Sequence, residues 1–304
     1  MLPKTRLRAR RPSSVPQPVL PPTRPSLRPT FRRMVDRLLG GGLAVIVVAA
    51  GLVVGGSVTT TETASAASSA DFDPGYIISD YNFYNSSALS TKQIQTFLGK
   101  QSCAPLDSSP CLADYTQKTK TRAPLASDTY VYCTTYPGAA SESAATIIHK
   151  VAKACGISPM VILVTLQKEE NLLSTPSAGR YKIAMGYACP DTAACDSTYF
   201  GFFNQVYAAA KQWKRYAMYK PQTYWSTKVG ANAVKYNPKA SCGTTSVDVQ
   251  NQATASLYNY TPYTPNKAAL ANLYGVGNSC SSYGNRNFWV YYSCLLYTSP
   301  SPRD

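Results

Sequence analysis

Apolar residues recur at helical spacing in several stretches, and capping residues mark where these stretches begin and end. Ser90 followed by Gln93 forms a capping box, which predicts a short helix ending at Gly99. An apolar stripe over residues 143–155 predicts a second helix, and Gly156 is a typical residue for ending it. Both segments carry their own start and stop signals, so we expect helices there.

The most apolar of the predicted helices begins at Ser158-Pro159, an N-cap followed by proline at the first helical position. Another amphipathic pattern predicts a helix over Phe202–Tyr219. Further helices are predicted over Val247–Tyr258 and Lys267–Leu273, and a strand pair near Asn287–Tyr292. The expected fold class is therefore mainly α, α+β at most, in a single domain.

The N-terminal region has the composition of a targeting segment. Residues 1–37 form a basic tail rich in Pro and Arg, which cannot build a packed core. Residues 38–66 contain the apolar run Leu38–Val58, long enough to cross a bilayer, and then Ala64-Ser65-Ala66, a sequence typical of a cleavage site. We expect either a cleaved signal peptide or an uncleaved membrane anchor, with a secreted or cell-surface domain over residues 67–293.

Eight of the nine cysteines lie between residues 103 and 280. In an exported chain this usage predicts four disulfides, although eight cysteines permit 105 connectivities. The ninth, Cys294, opens a segment, residues 294–304, that resembles a translated sequencing adapter, so we expect this tail to be non-native. A preference for short loops favours the pairs Cys103–Cys111, Cys133–Cys155, Cys189–Cys195 and Cys242–Cys280.

Composition excludes several function classes. The chain of 304 residues has 30 Lys+Arg, 15 Asp+Glu and a single His. One His leaves no room for a His-rich metal site, so we expect neither a metal nor a cofactor. The net charge of +15 suits an anionic partner. No motif indicates nucleic-acid binding, and export argues against it.

Glu169 and Glu170 stand near the end of the most apolar helix. At about 100° per residue, Glu169 falls beside Ile162 and Leu166, an unusual place for a carboxylate because burying its charged form is unfavourable. A desolvated Glu can hold its proton near neutral pH, as the general acid of a glycosidase must. Surface positions at a fraying helix end are the alternative.

The run ACGISPMVILVTLQKEENLL resembles the catalytic helix of lysozyme-like lytic transglycosylases, and Ala184–Tyr187 resembles their downstream A-M-G-L-M-Q segment. Residues 74–292 as a whole are similar to secreted actinobacterial proteins described as hemagglutinin-like. The resemblance implies a lysozyme-like fold with Glu169 as the general acid, and Glu170 is the fallback. The chain departs from the family by having Glu170 where Ser is usual, and Tyr187-Ala188-Cys189 in place of Leu-Met-Gln.

Several neighbouring residues are candidates for contacting a sugar. Asp191 and Asp196 are possible second carboxylates, which hydrolases use and lytic transglycosylases do not, although turn formation is the commoner role of such residues. Aromatic side chains suit sugar rings but more often belong to the core. The candidate substrate-binding residues are Met185, Gly186, Tyr187, Tyr199, Phe202 and Asn204, with Gln205 as a weaker suggestion.

Two functions follow from these observations. The first is an exported glycosidase, a lytic transglycosylase or muramidase, that cleaves peptidoglycan with one Glu as acid and base. The second is a non-catalytic cell-surface protein that binds glycans, supported by the many tyrosines and by the altered Met-Gly segment. The expected partner in both cases is peptidoglycan or another cell-surface glycan, with membrane contact through residues 38–58 if the leader is kept.

Overall fold

The computed structural model describes residues 67–127, 130–191, 193–219 and 224–298. The chain divides into two units, Met1–Glu62 and Thr63–Asp304, and the first lies wholly outside these residues. The predicted tail, the signal peptide or anchor and most of the segment 294–304 therefore fall outside the description. No helix within the described ranges is long and apolar enough to span a membrane.

Helices are the main regular secondary structure of the described domain. The predicted capping box at the start of the second helix is present. The Ser90 hydroxyl accepts a hydrogen bond from the Gln93 N–H, and the Gln93 side chain accepts one from the Ser90 N–H. Gly156 ends the third helix in the left-handed conformation, as predicted. The helices are α1 Asp80–Tyr84, α2 Thr91–Gly99, α3 Ala144–Cys155, α4 Pro159–Glu170, α5 Ala178–Lys182, α6 Phe202–Met218, α7 Gln252–Tyr260, α8 Lys267–Leu270 and α9 Gly284–Thr298.

Three small antiparallel sheets complete the part of the domain that the structure describes. The strands are β1 Thr116–Gln117, β2 Leu125–Ser127, β3 Tyr130–Cys133, β4 Glu142–Ser143, β5 Gly230–Lys235 and β6 Thr244–Val249. They pair as β1 with β4, β2 with β3, and β5 with β6. The domain is therefore a disulfide-rich α+β domain. The sequence analysis allowed for this class but expected a mainly α fold.

Helix α4 lies at the centre of the core. Residues 159–166 are all buried, so this helix is apolar on every side, as its sequence indicates. Helices α3 and α9 pack against it, and α3 in turn packs on α6. Only its last turn, which carries Glu169 and Glu170, is partly exposed. The fold thus holds two carboxylates at the rim of a rigid core.

Two segments differ from the predictions. Residues 247–258 were expected to be one helix, but Val247 and Val249 belong to β6, and α7 begins only after the Asn251 cap. The strand pair expected near Asn287–Tyr292 is wrong, because these residues lie in α9. Packing against α4 outweighs the β propensity of the aromatic and β-branched side chains there. Helix α9 also continues past the predicted domain boundary at residue 293.

The four predicted disulfides are all confirmed: Cys103–Cys111, Cys133–Cys155, Cys189–Cys195 and Cys242–Cys280. Cys294 is not part of any of them. Four such bonds indicate a domain that matures in an oxidising, extracytoplasmic environment.

Candidate functional site

Glu169 and Glu170 end helix α4, and the chain turns sharply after them. Asn171 adopts the left-handed conformation with φ of 50°, and its N–H bonds to the Gln167 and Leu166 carbonyls. Asn is among the non-glycine residues most often found in this conformation, which commonly ends helices. The turn ends α4 directly after the two glutamates, and both are partly buried.

An ion pair holds the Glu169 carboxylate. Lys168 Nζ lies 2.7 Å from Glu169 Oε1, and the Lys168 side chain is only 3% exposed whereas that of Glu169 is 27% exposed. Lys168 Nζ also donates to Thr261 Oγ1 at 2.9 Å, which ties the pair to the end of α7. The carboxylate is consequently fixed in position while one side stays open to solvent.

Gly186 packs directly against this carboxylate. A Cβ atom at residue 186 would stand 2.9 Å from Glu169 Oε2, and φ there is +64°. Only glycine meets both conditions without a clash or strain. Ala188, two residues on, also has a positive φ of 56°. The backbone of Ala184–Tyr187, the segment that resembles the transglycosylase motif, therefore comes close to the candidate acid Glu169.

A cleft of about 500 Å³ opens beside Gly186. Its volume is in the range of small-ligand sites in proteins. Aromatic rings from three parts of the chain meet a short disulfide-closed loop there. The lining residues are Gly186, Tyr187, Ala188, Cys189, Pro190, Ala194, Asp196, Tyr216 and Tyr260.

Tyr260 connects the cleft with the core behind it. Its hydroxyl donates to the Met185 carbonyl at 2.8 Å, and its ring centroid lies 5.0 Å from that of Trp213. Burial, followed by the negative charge of Glu169, raises the pKa of Tyr260 well above its ordinary value. The phenol therefore stays protonated and remains a hydrogen-bond donor beside the carboxylate.

Gln205 organises the side of the cleft from within the core. It is fully buried on α6. Its Oε1 accepts from the N–H groups of Met185 at 3.2 Å and Tyr187 at 3.0 Å, and its Nε2 donates to the carbonyls of Tyr187 and Tyr199, both at 3.0 Å. The suggested role of Gln205 in sugar binding is wrong, because its amide is fully used inside the protein.

Glu170 differs electrostatically from its neighbour. Burial, and then the charge of Glu169, raise the pKa of Glu170 to about 7, although the Arg180 guanidinium acts in the opposite direction. The raised pKa thus belongs to Glu170, while Glu169 makes the contact with Gly186. Neither glutamate is among the described residues that line the cleft.

Two of the predicted contact residues are placed where they cannot touch a substrate. Met185 and Phe202 are both fully buried, so their side chains belong to the core. Their prediction as substrate-binding residues is wrong, because apolar packing decides the direction of both side chains. Gly186 and Tyr187, by contrast, line the cleft.

The other predicted residues are divided between two places. Tyr199 and Asn204 line a second cavity of about 250 Å³. Asp196 lines the first cleft but is exposed and caps a short 3-10 helix, its Oδ1 accepting from Thr198 N–H at 2.9 Å. Asp191 is exposed and accepts from the Tyr263 hydroxyl at 3.1 Å. Of the two candidate second carboxylates, only Asp196 therefore reaches the cleft.

Several site residues were missed by the sequence reasoning. Tyr216 and Tyr260 line the cleft from α6 and α7, and no local pattern separates them from the many other tyrosines. Lys168 was detectable only as the residue before the candidate acid. Gln205 was named in the sequence analysis as a sugar contact, but its place on a buried stripe, three residues after Phe202 and four before Ala209, indicates a structural role.

No protein-family model, no curated protein and no solved structure was found to match this chain.

Proposed function

We propose that this domain cleaves the glycan strand of peptidoglycan at the MurNAc–GlcNAc bond, with Glu169 as general acid and then base. The proposal depends chiefly on one observation: the Glu169 carboxylate, held at the end of α4, packs against Gly186, and Gly186 in turn lines an aromatic cleft. We also infer a lysozyme-like arrangement, supported by the apolar helix that begins with Pro159 and the Ala184–Tyr187 segment beside its last turn.

In the proposed reaction Glu169 donates a proton to the oxygen that bridges the two sugars. The bond from MurNAc C1 to this oxygen breaks, and the GlcNAc leaves as an alcohol. The carboxylate then removes a proton from the hydroxyl that attacks C1. This hydroxyl is the substrate's own 6-hydroxyl in a transglycosylase and water in a hydrolase.

A single-carboxylate mechanism fits the neighbouring residues best. Asp196 lines the cleft, but its Oδ1 already accepts the Thr198 N–H. Capping of this kind, first through the backbone N–H of Thr198 and then through its side chain, lowers the pKa of Asp196 and assigns the carboxylate to holding the turn. We therefore favour attack by the 6-hydroxyl and release of anhydro-muropeptides.

The ion pair favours a second candidate, a protein that binds glycans without cleaving them. The Lys168 ammonium 2.7 Å from Glu169 Oε1 stabilises the charged carboxylate, whereas a general acid must carry a proton. Tyrosine rings beside a fixed carboxylate are also a suitable surface for sugar binding alone. The two candidates share the cleft and differ only in the chemistry at Glu169.

Digestion of purified sacculi separates the candidates. Wild-type protein is expected to release anhydro-muropeptides, and Glu169→Gln to lose at least 100-fold of that activity, a typical loss for a general acid–base group. Glu170→Gln is the matched neighbour and is expected to retain most of the activity. Products are measured by chromatography and mass spectrometry, and binding by co-sedimentation with sacculi.

Each other outcome has a definite meaning. If all three proteins sediment with sacculi but release only background amounts of muropeptides, the binding function replaces the enzymatic one. If Glu170→Gln is inactive and Glu169→Gln active, the acid is the residue with the raised pKa. Water-derived reducing ends instead of anhydro ends would identify a hydrolase.

A further inference from the structure

A second cavity, separate from the cleft, concentrates positive charge. It has a volume of about 250 Å³, half that of the cleft. Among the described residues that line it, none is acidic and two are basic, Arg122 and Lys211. The polar and aromatic residues around them include Thr198, Tyr199, Asn204 and Tyr207.

Arg122 is held rigidly in this cavity. Its backbone exchanges two hydrogen bonds with Tyr136, at 2.9 and 3.0 Å. Its guanidinium carbon lies 5.6 Å from the ring centroid of Phe203 and 5.7 Å from that of Tyr207, and its Nη2 donates to Asn204 Oδ1 at 2.8 Å. A guanidinium fixed by stacking loses little entropy when it binds a planar anion.

The hydrogen-bonding capacity of Arg122 is not used up. Within the part of the chain that the structure describes, its buried Nε has no hydrogen-bond partner. A guanidinium has five N–H donors, of which Asn204 Oδ1 engages one, on Nη2. The guanidinium therefore still has donors to offer to an oxyanion.

Lys211 adds a second positive charge without a local counter-charge. Burial lowers the pKa of Lys211, and the charges of Arg215 and Arg122 lower it further. The two ion pairs found among the described residues, Lys150 with Glu142 and Lys168 with Glu169, both involve other lysines. An anion placed between Lys211 and Arg122 relieves their mutual repulsion.

We propose that this cavity binds an oxyanion, the carboxylate of a peptide stem on the glycan strand that occupies the cleft. This inference deepens the proposed function and rests on it. The two sites are neighbours: Tyr199 lines the second cavity, Tyr187 lines the cleft, and their ring centroids are 4.9 Å apart in an edge-to-face contact. A volume of about 250 Å³ is small for a disaccharide but accommodates a carboxylate on a short chain.

Titration calorimetry on the Glu169→Gln protein tests the inference without turnover. The ligand is a disaccharide muropeptide whose stem has free carboxylates, compared with the same muropeptide after amidation. We expect amidation to weaken binding about 10-fold or more, the effect of losing one charge-assisted hydrogen bond. Inorganic phosphate is expected to compete with the free-carboxylate ligand and to leave binding of the amidated one unchanged.

Lys211→Gln and Lys214→Gln form a matched pair for this experiment. Both lysines lie on α6 and are half-buried, but only Lys211 lines the cavity, whereas Lys214 lies near Gly156. In the Glu169→Gln background, Lys211→Gln is expected to weaken binding about 10-fold and to abolish the discrimination against the amidated stem, since it removes one charge-assisted contact. Lys214→Gln should change neither.

Three results would overturn the inference: equal binding of free and amidated stems, equal effects of the two lysine variants, or no measurable binding of either muropeptide. Sacculus digestion by the wild-type protein reports separately on the proposed function. If wild type and Lys211→Gln digest sacculi equally well and the free and amidated stems bind equally, only the anion site is rejected. Stem discrimination without any cleavage rejects the glycosidase and keeps the anion site.

Discussion

At the scale of single residues, the adjacent carboxylates of α4 have different properties. Glu169 is oriented by Lys168 and Gly186, whereas Glu170 has the raised pKa. The sequence places both glutamates on an apolar helix but does not indicate which carboxylate is desolvated on folding. That depends on the Asn171 turn and on the charges around it, which only the folded chain brings together.

Glu170 makes the stability of the fold depend on pH. Its pKa is raised from 4.5 to about 7 on folding, so between these values the folded protein binds more protons than the unfolded chain. The contribution of Glu170 to stability is therefore fully present below pH 4.5 and is lost as pH rises to about 7, by an amount on the order of 1 kcal/mol because solvent screens the partly exposed group. Chemical denaturation of wild type and Glu170→Gln at several pH values measures this dependence.

In Glu170→Gln the decrease in this window is expected to be absent or much smaller than in wild type. A variant that retained the full decrease would show that another group is responsible.

Gly186→Ala is expected to disturb the candidate acid directly. The new Cβ would stand 2.9 Å from Glu169 Oε2 and force the carboxylate to move. A displacement of about 1 Å can reduce activity about 100-fold. The backbone with φ of +64° adds a stability cost of about 1 kcal/mol. Sacculus digestion and thermal unfolding measure the two effects.

Gly156→Ala is the matched control, because φ there is +66° and the nearest atom to a Cβ is Nζ of the flexible Lys214, at 3.3 Å. We expect a similar loss of stability with unchanged activity. Equal activity losses in both variants would mean that the contact with Glu169 has no functional role.

At the scale of elements, capping residues predicted the helices well, and long-range packing decided the rest. The helix starts at Ser90, Ser143 and Ser158 were all readable, because a cap bonds only to residues up to three positions away. The β5–β6 hairpin was missed because the alternation of Val247 and Val249 is too short to stand out from the helix that follows. Helix α9 was missed because its β-forming residues become helical only through contact with α4.

Helix α6 shapes the cleft through Gln205, which bonds to three backbone positions in two loop segments. Gln205→Leu leaves buried N–H and carbonyl groups without partners, and we expect a loss of about 3 kcal/mol or more in the free energy of unfolding. Cleavage and glycan binding should both decline, because Tyr187 loses its support. Urea denaturation and sacculus digestion measure these effects.

Gln212→Leu is the comparison on the same helix, since Gln212 is 8% exposed and its side chain bonds only to the Tyr216 hydroxyl among the cleft-lining residues described, against the four cleft-side bonds of Gln205. It is expected to be less destabilising and to reduce the activity less. If Gln205→Leu were no more harmful than Gln212→Leu, the organising role of Gln205 would be refuted.

At the scale of the whole molecule, the disulfides link cysteines that are 6 to 38 residues apart in the sequence. Each native disulfide typically contributes about 2–5 kcal/mol, so reduction of all four is expected to lower Tm by on the order of 20 °C or to unfold the domain. Calorimetry with and without reductant, followed by thiol alkylation and mass spectrometry, measures this. An unchanged Tm after complete alkylation of all eight cysteines would contradict it.

The packing of Trp213 against Tyr260 has a practical consequence. The indole is fully buried, and the ring next to it forms part of the cleft surface. A sugar that settles on Tyr260 changes the polarity and motion of the phenol, and the neighbouring indole senses both. The protein thus carries an intrinsic fluorophore one ring behind its candidate site, and changes in tryptophan emission can follow ligand entry in real time without any added label.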